Sequence, residues 1–368
     1  MSRRYNRPHG THSALHITHD SFRIMHSAFR IPHCALVLFL LFCFTSCIDE
    51  DEYPDTPEGN FEALWHIMDE HYCFFGLKQK QYGLDWNEVY TRYAPRFHSN
   101  MTQAQQFEVL ADMLSELRDG HVNLYSSFDV GRNWSWYEDY PQNFSEDLQR
   151  NYLKTDYKIA GSLRYRVLDD NIGYIYCGSF QSSIGAGNLD DVLTFLAPCN
   201  ALIIDIRDNG GGQLTAAEQL ASRFTNEEIL VGYQRHKTGP AHDAFSALQQ
   251  QRLKPAKGVR WQKPVAVLTN RSVFSAANEF VKYMRCCPRV TIVGDQTGGG
   301  AGLPFSSELP GGWGVRLSAC PMYDRDTVST ENGILPDHAV ALTEGDSRQG
   351  KDSIIEYARK ILRQKFGR

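Results

Sequence analysis

Alternating strand and helix patterns place this chain among the α/β proteins, on three observations. Residues 201–206 and Val265–Thr269 are short, nearly continuous apolar runs rich in β-branched side chains, the pattern of strands covered on both faces in a largely parallel sheet. Segments with helical spacing of apolar residues alternate with them, as βαβ units joined by right-handed crossovers require. From Pro54 to about Ser127 the apolar spacing is helical, which predicts a small N-terminal helical module ahead of the core.

At 368 residues, 42% hydrophobic and 22% charged, the chain can form one substantial core plus a smaller module. A net charge of −5 argues against a nucleic-acid partner, which calls for a concentrated basic face. No repeat, heptad or low-complexity tract interrupts the pattern.

Residues 1–33 are rich in Arg and His and lack an apolar pattern, and residues 35–44 then run without a charge. That run is too short to cross a bilayer comfortably, so it reads as a signal-peptide apolar region, with an uncleaved membrane anchor as the alternative. Thr45-Ser46-Cys47 follows, and then the acidic residues 48–52. This arrangement resembles a bacterial lipoprotein signal, which implies membrane attachment through a lipid on Cys47. The acidic cluster resembles the surface-export signals of Bacteroidetes lipoproteins. The leader before Met25 is long for a signal peptide, which makes Met25 an alternative start. Both readings put the rest of the chain outside the cytoplasm, in the cell envelope, facing the periplasm or the cell surface. The resulting segments are a leader (1–47), an acidic linker (48–57), the helical module (58–127), an aromatic-rich connection (128–163) and the core (164–368).

Cys73, Cys177, Cys199, Cys286, Cys287 and Cys320 remain beyond Cys47. Disulfides are permitted in an exported chain, but the spacing carries no metal signature. Cys177 and Cys199 sit among apolar residues and read as small buried hydrophobes.

In the helical module, Phe61, Leu64, Trp65 and Met68 share one face, and Phe107, Leu110, Met113 and Leu114 share another. His66 and His71 lie within the first of these helices and read as ordinary surface or core residues. The module closes on Leu117-Arg-Asp-Gly-His-Val-Asn-Leu124, where Gly120 can end a helix and His121 leads into a strand. A histidine at such a break is well placed to project into a cleft. The connection that follows carries Trp134, Trp136, Tyr137 and Tyr140, either as packing, as a lid, or as the lining of an apolar pocket.

Further on, residues 165–176 read as a hairpin turning at 169–171, and residues 189–196 as a helix. Strand 201–206 runs into Arg207-Asp-Asn-Gly-Gly-Gly-Gln213. Consecutive glycines there allow positive φ and let backbone N–H groups converge, which suits a phosphate loop, an oxyanion hole or a tight turn. The spacing fits neither common nucleotide motif. After Val265–Thr269 comes a polar turn and a helix with Ala277, Phe280, Val281 and Met284 on its apolar face. Ser275 stands at the start of that helix, as its N-cap or as a nucleophile beside free N–H groups, and Ser272 is the other cap candidate. A strand at 290–293, a hairpin around 310–313 and a closing helix at Ser353–Phe366 complete the pattern.

The runs Leu117-Arg-Asp-Gly-His-Val122, Asp205-Ile-Arg-Asp-Asn-Gly-Gly-Gly212, Ser275-Ala-Ala, Val293-Gly-Asp-Gln-Thr-Gly-Gly299 and Glu331-Asn-Gly-Ile-Leu-Pro-Asp337 occur in the order found in the C-terminal processing (tail-specific) protease family, which the chain resembles over roughly residues 58–362. The resemblance implies a ClpP/crotonase-like core and serine peptidase activity on a peptide or protein substrate, with no cofactor and no metal. The interval from Val122 to Tyr165 is too short for the PDZ domain many members insert. Where bacterial members carry the lysine partner of the serine, this chain has Gly300. The PDZ-less branch with the tricorn core and the interphotoreceptor retinoid-binding protein domains is the more similar. That likeness implies Ser275 as nucleophile, His121 as general base and then general acid, Glu331 as the residue orienting the histidine, and the Gly211 and Ala276 N–H groups as the oxyanion hole. A non-catalytic ligand- or peptide-binding lipoprotein on the same fold is the alternative. Substrate specificity and oligomeric state are open at this level.

Overall fold

The computed structural model describes residues 53–366. The expected leader, the Cys47 lipidation site and residues 48–52 of the acidic linker lie outside the described residues.

The helical stretch begins with α1 (Pro57–His71), α2 (Phe75–Tyr82), α3 (Trp86–Tyr93) and α4 (Gln103–Ser115). Thr56 caps α1 by accepting from the Gly59 N–H, Asp85 caps α3, and Thr102 with Gln105 forms a capping box on α4, so donors left over at each start are satisfied. The two apolar faces visible in the sequence meet in one core containing Phe61, Leu64, Met68, Phe107, Leu110 and Met113.

Next come β1 (Asn123–Tyr125) and β2 (Val130–Arg132), then α5 (Ser135–Glu138) and α6 (Glu146–Leu153) within the aromatic connection. The α/β portion runs β3 (Lys158–Ala160), β4 (Leu163–Val167), β5 (Ile172–Cys177), α7 (Ala186–Leu196), β6 (Ala201–Asp205) and α8 (Leu214–Ala221). It continues through β7 (Ile229–Gln234), β8 (Gln249–Leu253), β9 (Val265–Thr269), α9 (Ala276–Cys286) and β10 (Val290–Gly294). The last elements are β11 (Gly302–Glu308), β12 (Gly314–Tyr323), β13 (His338–Ala339), α10 (Glu344–Arg348) and α11 (Ser353–Phe366).

One seven-stranded sheet has the order β13-β10-β9-β6-β5-β4-β3, parallel from β13 to β5 and antiparallel from β5 to β3. Every residue of β6 and β9 is buried, because one face packs on α7, α8 and α9 and the other on α6 and α11. The expected 165–176 hairpin is β4–β5. The six described cysteines are all free, and Cys177 and Cys199 are fully buried.

A second sheet, β2-β1-β12-β7-β8 with β11 on β12, is what the sequence pattern did not announce. Residue β1 Leu124 pairs with β12 Val315, and Trp313, Val315 and Leu317 enter the same core as the helices. The helical segment and the α/β segment therefore share a sheet, and residues from Tyr53 onward make one unit, so the helical, connecting and core segments are regions of a single body.

Behind the glycine loop lies a fully buried ion network. Arg207 donates from Nη2 to Asp205 Oδ2 (2.7 Å), from Nε to Asp205 Oδ1 (2.9 Å) and from Nη1 to Asp352 Oδ2 (2.9 Å). Tyr174 adds its hydroxyl to Asp205 Oδ2 at 2.7 Å. Removing one partner from such a set strands buried charge. Arg207→Met is expected to destabilise the protein by about 3–5 kcal/mol, read as a lower urea midpoint; an unchanged midpoint would show that the network adds nothing.

Candidate active site

Because β6 and β9 are parallel neighbours, their carboxyl ends release the next segments at one edge of the sheet. Asp208 and Asn270 tie the two exits together: the Asp208 N–H donates to Asn270 Oδ1 (3.0 Å) and Asn270 Nδ2 donates to Asp208 Oδ1 (2.7 Å). The Phe274 N–H donates to the Asn209 carbonyl at 3.1 Å. Gly211, at φ +98, presses against the turn so closely that a Cβ there would lie 2.7 Å from Phe274 O and 2.8 Å from Ser275 Cβ. Only glycine allows that approach.

Ser275 occupies the N-cap position of α9 but does not act as a cap. Its backbone is at φ 56, ψ −124 and its side chain makes no capping bond. A non-glycine residue in that region is strained and is held by its surroundings. Here its N–H donates to Gly299 O (2.8 Å) and its carbonyl accepts the Glu279 N–H (3.0 Å). The hydroxyl is freed for another contact, and Oγ lies 2.9 Å from His121 Nε2.

His121 arrives from the other sheet, two residues before β1. It is buried, its ring packs on Phe274 at 4.7 Å, and Nδ1 has no hydrogen-bond partner. Burial pushes its pKa down to about 4, opposed by Asp119 and reinforced by Arg316. Asp119 Oδ1 accepts the His121 backbone N–H at 2.8 Å, while Oδ2 accepts from the Tyr72 hydroxyl (3.1 Å) and the Ser318 hydroxyl (2.8 Å). Asp119 was not singled out in the sequence, although an aspartate two residues before a histidine at a chain reversal is an Asx-turn signal.

Glu331, expected to orient His121, makes no hydrogen bond to it. Its Oε2 accepts the Ala301 N–H at 2.8 Å and its Oε1 lies 3.8 Å from Lys78 Nζ on α2. Those two groups take up the carboxyl group. Burial first, and the Asp119 charge second, push its pKa well above the usual carboxylate range, with Lys78 opposing.

The two expected oxyanion donors also separate. Ala276 is the first residue of α9, where the N–H has no intrahelical acceptor. The Gly211 N–H instead donates to Asn209 Oδ1 at 2.9 Å, and Gly210 and Gly212 are the loop glycines that line the cleft. Asn209 is a sequence-adjacent side chain whose claim on that donor the motif alone did not reveal.

The cleft beside Ser275 measures about 880 Å³ and is lined by His121, Trp134, Trp136, Tyr137, Phe274 and two arginines, Arg132 and Arg316, among others. Trp136 stacks on Phe274 with centroids 4.1 Å apart. Arg271 holds this aromatic segment: Nε donates to Trp136 O (2.5 Å) and its guanidinium lies 4.1 Å over Tyr140. At Gly300, φ +78, a Cβ would fall 2.5 Å from the Phe274 ring. The space a lysine would enter is filled by that ring, and Phe274 in turn packs on His121.

The profile of Peptidase family S41 matches residues 171–340, and that of the Tricorn protease C1 domain matches residues 53–115. A crystal structure described as a "putative peptidase" from Parabacteroides merdae is 52% identical, with a TM-score of 0.80 over 84% of this chain and 97% of that one. Mature CPAF, solved in complex with lactacystin, has a TM-score of 0.65 over 84% of this chain and 98% of its own at 14% identity, a likeness of fold. The carboxyl-terminal-processing protease of Picosynechococcus sp. is 26% identical over 219 residues, 57% of this chain and 50% of that protein. This chain therefore spans about half the length of that relative. It belongs to peptidase family S41, the C-terminal processing protease family its motifs resemble.

A base must be neutral to accept a proton, and a lowered pKa keeps His121 neutral further into acid. Labelling of Ser275 by a fluorophosphonate is expected to hold from neutral pH downward and to fall as pH drops through about 4. A midpoint near the ordinary histidine value of about 6.5 would show that burial does not govern this group.

Proposed function

We propose that the protein is a serine endopeptidase acting through an acyl-enzyme on Ser275, with His121 as general base and then general acid. The observation that carries this is the 2.9 Å contact between Ser275 Oγ and His121 Nε2 at the start of a helix. An unassisted serine hydroxyl is a poor nucleophile near neutral pH. His121 Nε2 would take the hydroxyl proton as Oγ attacks the peptide carbonyl, then return it to the departing amine. A water activated by the same nitrogen would hydrolyse the ester. The Ala276 N–H supports the developing oxyanion, and the helix dipole adds to it. Gly211 can join only by releasing Asn209 Oδ1. Asp119 is the carboxylate whose charge favours the imidazolium, so Glu331 is assigned to holding its own segment through Ala301 and Lys78 rather than to proton transfer.

A non-catalytic binder would use the aromatic segment as ligand surface. Trp136 is instead stacked against Phe274 and the serine–histidine pair is intact, so the enzyme is favoured. Within the same proposal, the Thr45-Ser46-Cys47 run and the apolar segment before it support an envelope lipoprotein anchored at Cys47.

Ser275→Ala is expected to abolish peptide hydrolysis and fluorophosphonate labelling with the fold retained, and His121→Ala to lower kcat by at least about a hundredfold. Full turnover in the first variant would remove Ser275 as nucleophile. For the anchor, Cys47→Ala should lose fatty-acid incorporation in cells and leave the membrane fraction; retained incorporation would place the lipid elsewhere or nowhere.

A further inference from the structure

The cleft holds two cations that have no ion-pair partner among the described residues. Arg132 and Arg316 both line it, and among the described residues neither forms an ion pair or a side-chain hydrogen bond. Arg132 rests its guanidinium 4.8 Å over the Trp134 ring, a contact that leaves the edge N–H donors of the planar group open.

Their placement follows from strand register. Asn123 of β1 is the cross-strand partner of Arg132 on β2 and of Arg316 on β12. Directly opposed residues stand on the same face, so Arg132, Asn123 and Arg316 form a row two residues beyond His121. Strands lie about 4.8 Å apart, so the outer two Cα atoms are separated by about 10 Å, a span two arginine side chains can close on one group. Asn123 does not neutralise them: its Nδ2 donates to Val122 O (2.7 Å) and its Oδ1 accepts the Tyr125 hydroxyl (3.1 Å). The carboxylate in the cleft lining, Asp208, forms no ion pair with either arginine and is held by Asn270 Nδ2 at 2.7 Å.

Arg316 has a second position of interest. A smaller lobe of about 250 Å³, with Leu214, Leu303, Pro304 and Met322 in its wall, also contains Ser275, His121 and Arg316. Arg316 thus stands where both lobes meet the reacting serine, near enough for its charge to act on His121. Two like charges kept unpaired in one cleft repel each other, and an ionised carboxylate is the group a guanidinium fork binds in bidentate fashion.

On the footing that Ser275 is the nucleophile, we infer that Arg316 and Arg132 select peptides presenting an ionised carboxylate close to the scissile bond. Its source is either an Asp or Glu side chain or the free C-terminus of a short tail. In both cases the guanidinium row binds the same chemical group.

The test is a positional scan of an internally quenched peptide. One position at a time around the cleaved bond carries Asp, Asn or Lys with an amidated C-terminus, and the Asn series is also made as the free acid. A gain in kcat/KM of about ten- to a hundredfold, the range for a hydrogen bond to a charged group, is expected for Asp over Asn if a side chain is read. The same gain for free acid over amide is expected if the terminus is read. Arg316→Glu should invert the preference towards Lys. Ratios within about twofold at every position would overturn the inference while hydrolysis itself continued, leaving the peptidase assignment intact. If wild-type protein cleaves no peptide and takes no fluorophosphonate, the peptidase assignment fails separately. Fluorescence anisotropy on Ser275→Ala then still decides: tighter binding of the Asp or free-acid peptide than of the Asn amide, lost in Arg132→Met and Arg316→Met, supports carboxylate selection, and equal affinities overturn it.

Discussion

When two parallel strands pair side by side, whatever follows them must leave from the same edge of the sheet, and in this molecule those strands are β6 and β9. That constraint brings the glycine loop against the turn that carries Ser275. Each exit is secured by polar groups a buried strand end must satisfy in any case: Asp208 with Asn270, Asn209 with Phe274, and Arg207 between Asp205 and Asp352. The strained backbone of Ser275 is sustained by this frame, since φ 56 at a serine persists only where the surroundings over-determine it. Strain there takes the hydroxyl away from the capping geometry that its sequence position offered.

The second half of the site depends on a different sheet. His121 is positioned by the short β1 strand and by Asp119, which is itself gripped by Tyr72, the residue that ends α1, and Ser318 from β12. Packing by Phe274 and burial keep the histidine neutral and leave its Nδ1 without a partner. Phe274 also fills the space next to Gly300. One ring thus covers His121 and fills the space a lysine at position 300 would enter.

Polar groups compete for partners, and that competition explains which expectations changed. The family likeness implies the Gly211 N–H as an oxyanion donor and the Glu331 carboxyl group as the partner of the histidine. In the folded protein each is taken by another group, Asn209 in one case and Ala301 with Lys78 in the other. A buried donor or acceptor accepts the nearest partner with good geometry, and linear motifs do not say which partner that is. The arginine row was missed for a related reason: Arg132 and Arg316 are far apart in sequence and become neighbours only through Asn123 between them.

What the sequence determined by itself was local and periodic. The buried runs of β6 and β9, the closing helix Ser353–Phe366, the apolar faces of α1 and α4 and the placement of Ser275 at a strand–helix turn all follow from spacings within a single element, where backbone geometry fixes which residues share a face. The tertiary structure decided the rest. It made the helical segment part of a second sheet, delivered His121 to Ser275 across the two sheets, and put Asp119 against the His121 backbone while Glu331 bonds to Ala301. Those outcomes depend on long-range pairing and on which buried polar groups find one another, and neither has a period that a linear chain can display.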